Sequence, residues 1–137
     1  MNSDLKFFSQ EWCDVAREVA NANDEMYRGF KDAATFSNYM GFGVIGRPDL
    51  AVHLEWKAGR ILSWTPAQYE ESEIWAIING DLSTWSECAA GKAVGSKLLM
   101  AGKLKLAKGP ITAAIENAKA FNSFLVSWGQ VPTDWTV

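Results

Sequence analysis

The spacing of apolar residues changes along the chain from a helical to a strand period, and this change constrains the fold more than any other feature. From residue 3 to about residue 31, apolar side chains recur every three or four positions, which predicts one long amphipathic helix. In the segment 49–57 they occupy every second position, which predicts a strand with one apolar face. The chain therefore combines helices with a sheet. The helical stripe consists of Leu5, Phe8, Trp12, Val15, Val19, Ala22, Met26 and Phe30.

Turn residues on both sides of this strand predict two neighbouring strands. A glycine-bearing strand begins near Asn38, and a turn at 47–49 separates it from the alternating segment. Ala58 and Gly59 make a tight connection to a third strand that begins at Arg60. Because these connections are short, the three strands are expected to form an antiparallel meander.

The remaining elements complete an α+β fold. We predict a helix, a three-stranded antiparallel meander, a crossover to a strand, a helix, a strand and a C-terminal helix. The five-stranded sheet is expected to be covered by helices on one face. The elements after the meander are a polar loop at 65–72, a central strand at 73–79, a helix capped by Asp81 or Ser83 and ended by Gly91, a strand at 103–106, and a helix from Pro110 to about Trp128.

The length of 137 residues predicts one domain over residues 1–137. Within it we expect an N-terminal helix over 1–31, a sheet-and-helix core over 38–128, and a tail over 129–137. The N-terminus is polar and no apolar run is long enough to span a bilayer, which favours a soluble, cytoplasmic protein.

Charge is distributed unevenly along the chain. The formal net charge is −3, which gives no general attraction to nucleic acid. From Cys88 to Ile115, however, there are five lysines and no acidic residue, while the rest of the chain has eight basic and sixteen acidic residues. The acidic protein therefore contains one cationic segment.

The chain offers few groups for catalysis. His53 is the single histidine and lies on the polar side of its predicted strand, where a surface position is expected. Cys13 or Cys88 could pair with His53 as a nucleophile, but no sequence context favours this. Three residues separate Gly91 from Gly95, whereas a phosphate-binding loop needs four and then Gly-Lys-Ser/Thr. We expect no enzyme activity, no metal site and no cofactor.

The run from Glu73 to Gly109, EIWAIINGDLSTWSECAAGKAVGSKLLMAGKLKLAKG, resembles the sterol carrier protein family, the type-2 nonspecific lipid-transfer domain. The resemblance lies in an ordered set of short features and extends over most of residues 38–127. The features are a strand at 74–78, Asp81, a helix with Leu82 and Trp85, Gly91-Lys92, a helical step at 97–100, and Gly-Lys-Leu-Lys at 102–105.

This resemblance implies a five-stranded sheet against helices, with an apolar tunnel for lipids. Exposed lysines at the tunnel mouth would contact a head group or a membrane surface. The tunnel candidates are Phe42, Val52, Leu54, Trp56, Trp75, Trp85, Leu98, Leu99, Leu104, Phe121, Leu125 and Trp128. The head-group or membrane candidates are Lys92, Lys97, Lys103 and Lys105.

The expected function is non-enzymatic binding and transfer of fatty acids, fatty acyl-CoA or sterol-like molecules. The expected partners are a lipid or acyl-CoA ligand and a transient anionic membrane surface, with a homodimer as a further option and no nucleic acid. Two alternatives remain open at this point. The many aromatic side chains could fill the interior of a structural or oligomerisation module, or the chain could serve as a helper domain for a separate lipid-metabolising enzyme.

Overall fold

The computed structural model describes residues 4–137, which fold into helices packed on a mixed sheet. The strands are β1 (Leu5–Lys6), β2 (Asn38–Val44), β3 (Arg47–Lys57), β4 (Arg60–Pro66), β5 (Ala76–Gly80), β6 (Lys105–Lys108) and β7 (Thr133–Asp134). The helices are α1 (Gln10–Asn21), α2 (Asp24–Gly29), α3 (Leu82–Ala89), α4 (Gly95–Ala101), α5 (Ile111–Glu116) and α6 (Ala118–Ser127). Single 3-10 turns lie at Ala33–Thr35, Glu71–Glu73 and Trp128–Gln130.

The main sheet has five strands in the order β4-β3-β2-β5-β6. Strands β2, β3 and β4 form the predicted antiparallel meander, β5 runs parallel to β2, and β6 runs antiparallel to β5. The α+β class and the five-stranded sheet are therefore confirmed. Helix α6 contacts each of the helices α1 to α5, so it lies at the centre of the helical layer.

Strand ends differ from the predicted ones at two places. The turn predicted at 47–49 is wrong, because Val44 pairs with Arg47 and the reversal needs only Ile45 and Gly46. Gly46 has a φ of 80°, a left-handed value that glycine adopts without strain. The strand predicted at 103–106 begins later, at Lys105, because the backbone N–H of Leu104 still bonds to the carbonyl of Leu98 in α4.

The predicted single N-terminal helix is also wrong, since it is two helices that meet at Ala22 and Asn23. The Asn23 side chain accepts a hydrogen bond from the backbone N–H of Met26 and so starts α2 as its N-cap. Ser9 caps α1 in the same way by accepting from Trp12. Residue 3, where the helix was predicted to begin, lies outside the described residues, and Leu5, which was predicted to be helical, lies in β1.

The predicted last helix is likewise divided, at Asn117. The Asn117 side chain donates to the carbonyl of Ala113 and accepts from the backbone N–H of Lys31, at 2.9 and 3.0 Å. These side-chain bonds compete with a continuous helix. The two segments differ in burial, because α6 has four buried residues and α5 has none.

An aromatic cluster fills the core at one end of the sheet. The indole of Trp128 lies at its centre, with ring-centroid distances of 5.3–6.1 Å to seven neighbours. The mostly tilted and edge-to-face angles are those that aromatic pairs prefer. The neighbouring rings are Phe7, Phe8, Trp12, Phe42, Trp64, Trp85 and Phe124.

The two ends of the described chain meet beside this cluster. Strands β1 and β7 pair in parallel, with Leu5 opposite Thr133. The indole N–H of Trp12 donates to the Thr133 hydroxyl at 2.8 Å, and Trp135 packs on Phe7 at 4.4 Å. The predicted tail is therefore part of the packed structure. Between residues 4 and 137, no helix is long and apolar enough to cross a bilayer.

Candidate functional site

A cavity of about 60 Å³ lies between the sheet and the helical layer. Its lining is apolar except for Asn117, and it is much smaller than the roughly 300–1,000 Å³ of a typical ligand pocket. It therefore holds a long hydrocarbon only if its walls move apart. The lining residues are Phe30, Phe36, Met40, Phe42, Trp56, Trp75, Ala76, Ile78, Leu99, Leu106, Pro110, Ala113, Ala114, Asn117, Ala120, Phe121 and Phe124.

The sheet forms the floor of the cavity through the register of β2 and β5. Met40 lies opposite Ala76, and Phe42 lies opposite Ile78. Because side chains alternate between the two faces of a strand, these four point to the same side. The small Ala76 leaves space beside larger neighbours.

Four aromatic side chains close one end of the cavity. Phe36 lies 4.4 Å from Phe30, 5.4 Å from Trp56 and 5.9 Å from Trp75, measured between ring centroids. Phe36 directly follows the 3-10 turn at Ala33–Thr35 and so belongs to no regular element. The rings thus form an apolar wall in which Trp56 belongs to β3 and the other three lie in connecting segments.

The helices form the opposite wall, mainly with small side chains. Ala113 and Ala114 of α5 and Ala120 of α6 line the cavity with Leu99 of α4. Three alanines in one wall leave space that larger residues would fill. No residue of α5 is fully buried, so α5 itself contributes less apolar surface to the core than α6 does.

One lining residue has an unpaired hydrogen-bond donor. The side chain of Trp56 is 3% exposed, and its indole N–H has no hydrogen-bond partner within residues 4–137. A buried donor without a partner is energetically costly, so a ligand oxygen within reach of it would be favoured. Asn117 differs, because both ends of its amide are already bonded.

Five of the twelve predicted tunnel residues line this cavity, namely Phe42, Trp56, Trp75, Leu99 and Phe121. The others lie outside the lining, so a contact between them and a lipid stays a prediction. Val52, Leu54, Trp85, Leu104, Leu125 and Trp128 are buried in the core, and Leu98 is partly buried against it.

Twelve lining residues were not predicted. Met40 lies two residues before Phe42 in β2, and so on the same face of that strand, and the apolar run of β5 contains Ala76 and Ile78. Phe36 carries no such signal, because it lies in a loop. The twelve are Phe30, Phe36, Met40, Ala76, Ile78, Leu106, Pro110, Ala113, Ala114, Asn117, Ala120 and Phe124.

The four predicted head-group lysines are all exposed. The ammonium groups of Lys92, Lys97 and Lys103 have no hydrogen bond or ion pair with any residue between 4 and 137, while Lys105 donates to the carbonyl of Gly102 at 3.4 Å. They are therefore available to an external anion. Their contact with a head group remains a prediction.

The candidate catalytic groups are structural in this fold. Burial raises the pKa of Cys13, with a smaller contribution from Asp14, and burial together with Glu87 raises the pKa of Cys88 to about 11. Neither thiol therefore ionises readily near neutral pH. Within the described part of the chain, no three histidine, cysteine or acidic side chains are placed to hold a metal ion.

His53 stabilises the loop after β4 through its neutral form. The backbone N–H groups of Gln68 and Tyr69 both donate to its Nδ1, each at 3.0 Å. Nδ1 is thus an acceptor, which requires the neutral ring with its proton on Nε2. Partial burial lowers the pKa of His53 below its ordinary value.

Acidification is therefore expected to destabilise the protein through His53. The unfolded state takes up a proton as the pH falls through about 6.5, whereas the folded state resists until its lower pKa is reached, so stability falls across this window. Urea unfolding midpoints at several pH values measure the effect. His53→Asn, which keeps a nearby acceptor but does not titrate, should show a flatter profile. A wild-type midpoint that rises on acidification would contradict this assignment.

The structure thus defines an α+β protein with an apolar cavity between a five-stranded sheet and a layer of helices. The sequence profile of the SCP-2 sterol transfer family matches residues 39–122. The chain therefore belongs to the SCP-2 sterol transfer family.

Solved structures share the fold. A crystal structure of sterol carrier protein 2 has 23% identity and a TM-score of 0.77, covering 92% of this chain and 99% of that one. A solution structure of a conserved hypothetical protein from Thermus thermophilus, considered a sterol carrier protein candidate, has 24% identity, a TM-score of 0.77 and coverages of 97% and 95%. Apo sterol carrier protein 2 from Yarrowia lipolytica has 20% identity, a TM-score of 0.51 and coverages of 90% and 98%. No curated protein sequence matches significantly.

Proposed function

We propose that this protein binds a lipid by its hydrocarbon portion in the cavity and transfers it without catalysing a reaction. The observation that carries the proposal is the apolar cavity between sheet and helices in a chain of the SCP-2 sterol transfer family. The ligand classes that fit are fatty acids, fatty acyl-CoA and sterol-like molecules, all of which combine a long apolar body with one polar end.

Hydrocarbon burial supplies enough free energy for such binding. Each buried methylene contributes about 0.8 kcal/mol, so a sixteen-carbon chain gains on the order of 12 kcal/mol on leaving water. A bilayer gives a similar gain, so exchange between protein and membrane is close to balanced. Part of the gain must offset the opening of a cavity that measures only about 60 Å³.

The polar end of the ligand has two places to bind. A hydroxyl or carbonyl oxygen inside the cavity could accept from the unpaired indole N–H of Trp56. An anionic carboxylate or phosphate is better served outside, by exposed lysines such as Lys97 and Lys103. Cys13 and Cys88 are both unpaired thiols, which supports activity in a reducing compartment such as the cytoplasm.

This function is tested by measuring fatty-acid binding to the wild type and to a variant in which a substitution fills the cavity. We expect cis-parinaric acid, whose fluorescence rises in apolar surroundings, to bind the wild type. Ala113→Phe should weaken binding by at least about tenfold, because a phenyl ring occupies space that the hydrocarbon requires. Ala113 lines the cavity on α5, whereas Thr112 on the same helix is exposed and does not line it.

Thr112→Phe is therefore the matched control and should bind like the wild type. Native mass spectrometry of protein purified from cells should show a co-purifying lipid in the wild type and the control. An Ala113→Phe variant that binds as tightly as the wild type would place the lipid outside this cavity, and no binding of fatty acid by the wild type would eliminate lipid carriage.

A second function, a structural or oligomerisation module, is favoured by the small volume of the cavity. Aromatic side chains fill most of the interior, as a purely architectural role would require. Light scattering that shows a stable homodimer, together with no lipid binding, would favour this function over lipid carriage.

A further inference from the structure

A groove open to solvent lies on the other side of the helical wall, between α4 and the helices α5 and α6. Two residues, Leu99 of α4 and Ala114 of α5, line both the groove and the internal cavity. They are therefore the shared wall between the cavity and the outside. The groove is lined by Ser96, Lys97, Leu99, Met100, Ala101, Ala114, Ile115 and Ala118.

Large apolar side chains are exposed around this groove. Met100 is 63% exposed and Ile115 is 54% exposed, and both line it. Ile111, at 42% exposed, lies four residues before Ile115 and so on the same side of α5. Scattered exposed apolar residues are normal on a protein surface, but a group of them beside a groove indicates a binding surface.

The charge around the groove complements an anionic surface. The acid-free segment from Cys88 to Ile115 supplies five lysines, and Lys97 itself lines the groove. The acidic residue that follows this segment, Glu116, forms an exposed ion pair with Lys31 at 3.2 Å. Exposed apolar side chains can insert into a bilayer, and lysines beside them are attracted to its anionic head groups. A surface that combines the two therefore binds an anionic bilayer.

Helix α5 is a short, separate segment of this wall. Gly109, with a φ of 113°, precedes it, and Asn117 separates it from α6. It contains no buried residue, although Ala113 and Ala114 face the cavity. Movement of α5 away from α4 would separate Leu99 from Ala114 and join the groove to the cavity.

We propose that the groove between α4 and α5 docks on an anionic bilayer and that lipid passes between Leu99 and Ala114 into the cavity. This inference rests on the proposed lipid-carrier function and adds to it the partner surface and the route. Met100, Ile111 and Ile115 insert among the acyl chains, and Lys97 contacts the anionic head groups.

Vesicle binding tests the docking surface with a matched pair of variants. Ile115 and Leu62 are exposed to nearly the same extent, at 54% and 52%, but Leu62 lies on β4, at the edge of the sheet opposite β6. In co-sedimentation with phosphatidylcholine–phosphatidylserine vesicles, Ile115→Glu should bind at least about tenfold more weakly than the wild type. Leu62→Glu should bind like the wild type.

A lysine variant tests the electrostatic part independently of folding. Lys97→Gln should weaken binding to the phosphatidylserine-containing vesicles by about fivefold. It should have little effect on the weaker binding to pure phosphatidylcholine. Equal wild-type binding to both kinds of vesicle would overturn the electrostatic assignment, and so would a Lys97→Gln variant that binds as tightly as the wild type.

The route is tested by the rate of cis-parinaric acid transfer from vesicles, compared with its binding at equilibrium in vesicle-free buffer. Ile115→Glu should slow transfer at least about tenfold and leave equilibrium binding intact.

If the wild type binds no fatty acid in either assay, the carrier function itself fails. If the wild type binds it and Ile115→Glu transfers at the wild-type rate, the docking surface is wrong. Concentration-dependent self-association that Ile115→Glu abolishes, without vesicle binding, would assign the groove to a second copy of the chain.

Discussion

Replacing Trp128 by alanine is expected to lower the free energy of unfolding by about 3–5 kcal/mol, the range for truncation of a large buried aromatic side chain. The indole is 1% exposed and lies within 5.3–6.1 Å of seven other rings. These rings come from strands, helices and loops, so the cavity left behind cannot collapse by movement of one element. Urea unfolding at fixed pH measures the loss.

Trp128→Phe is the appropriate control. The indole N–H of Trp128 has no hydrogen-bond partner in residues 4–137, so phenylalanine loses packing but no hydrogen bond. The loss should therefore be clearly smaller than for alanine. Similar losses in both variants would show that the indole N–H has a partner, such as a bound water. A loss below about 1 kcal/mol for Trp128→Ala would contradict the central position of this ring.

Gly29→Ala is expected to destabilise the protein by about 1–3 kcal/mol, the cost of overpacking a close contact. Gly29 ends α2, and a methyl group there would lie 2.6 Å from the backbone nitrogen of Ala120 in α6. Backbone atoms within a helix cannot move aside as a flexible side chain can. Helix propensity alone predicts the opposite sign, because alanine favours a helix by up to about 1 kcal/mol over glycine.

The sign of the change thus distinguishes the two effects. Since Ala120 also lines the cavity, displacement of α6 should change the affinity for cis-parinaric acid as well. Gly41→Ala in β2 is the control, because its methyl group would meet only side-chain atoms at close range, at 3.4 Å from His53 and Ile77. Thermal unfolding of both variants measures the difference. A stabilised Gly29→Ala would show that α2 and α6 are not in close contact.

The sheet could be predicted from sequence because its strands left local signals, namely alternation in β3 and β6, glycines and a following turn in β2, and a continuous apolar run in β5. Apolar side chains occupy every second position of β3 from Leu50 to Trp56, and the turn at Ala58 and Gly59 sets the direction of the next strand. The break at Asn23 could not be found by periodicity. Trp12 in α1 and Met26 in α2 are both buried, and their spacing fits one continuous stripe. The signal lay in Asn23 itself, a residue type that favours N-caps.

The cavity was harder to predict than the sheet, because alternation identifies a face but not a depth. Val52, Leu54 and Trp56 share one face of β3, yet of these only Trp56 lines the cavity. The helical wall depends on alanines such as Ala113 and Ala120. From sequence alone, an alanine in a helix is recognised only as a good helix former. That its small side chain leaves a cavity can be seen only when the residues of the opposing layer are known.

The parallel pairing of β1 with β7 has a consequence for synthesis on the ribosome. Phe7 and Trp12 are translated early, but their neighbours Trp128, Thr133 and Trp135 emerge more than a hundred residues later. Contacts so distant in sequence are slow to form. A nascent chain therefore leaves these aromatic side chains without their native neighbours until residues 128–135 have been synthesised, and exposed apolar surface of this kind favours aggregation.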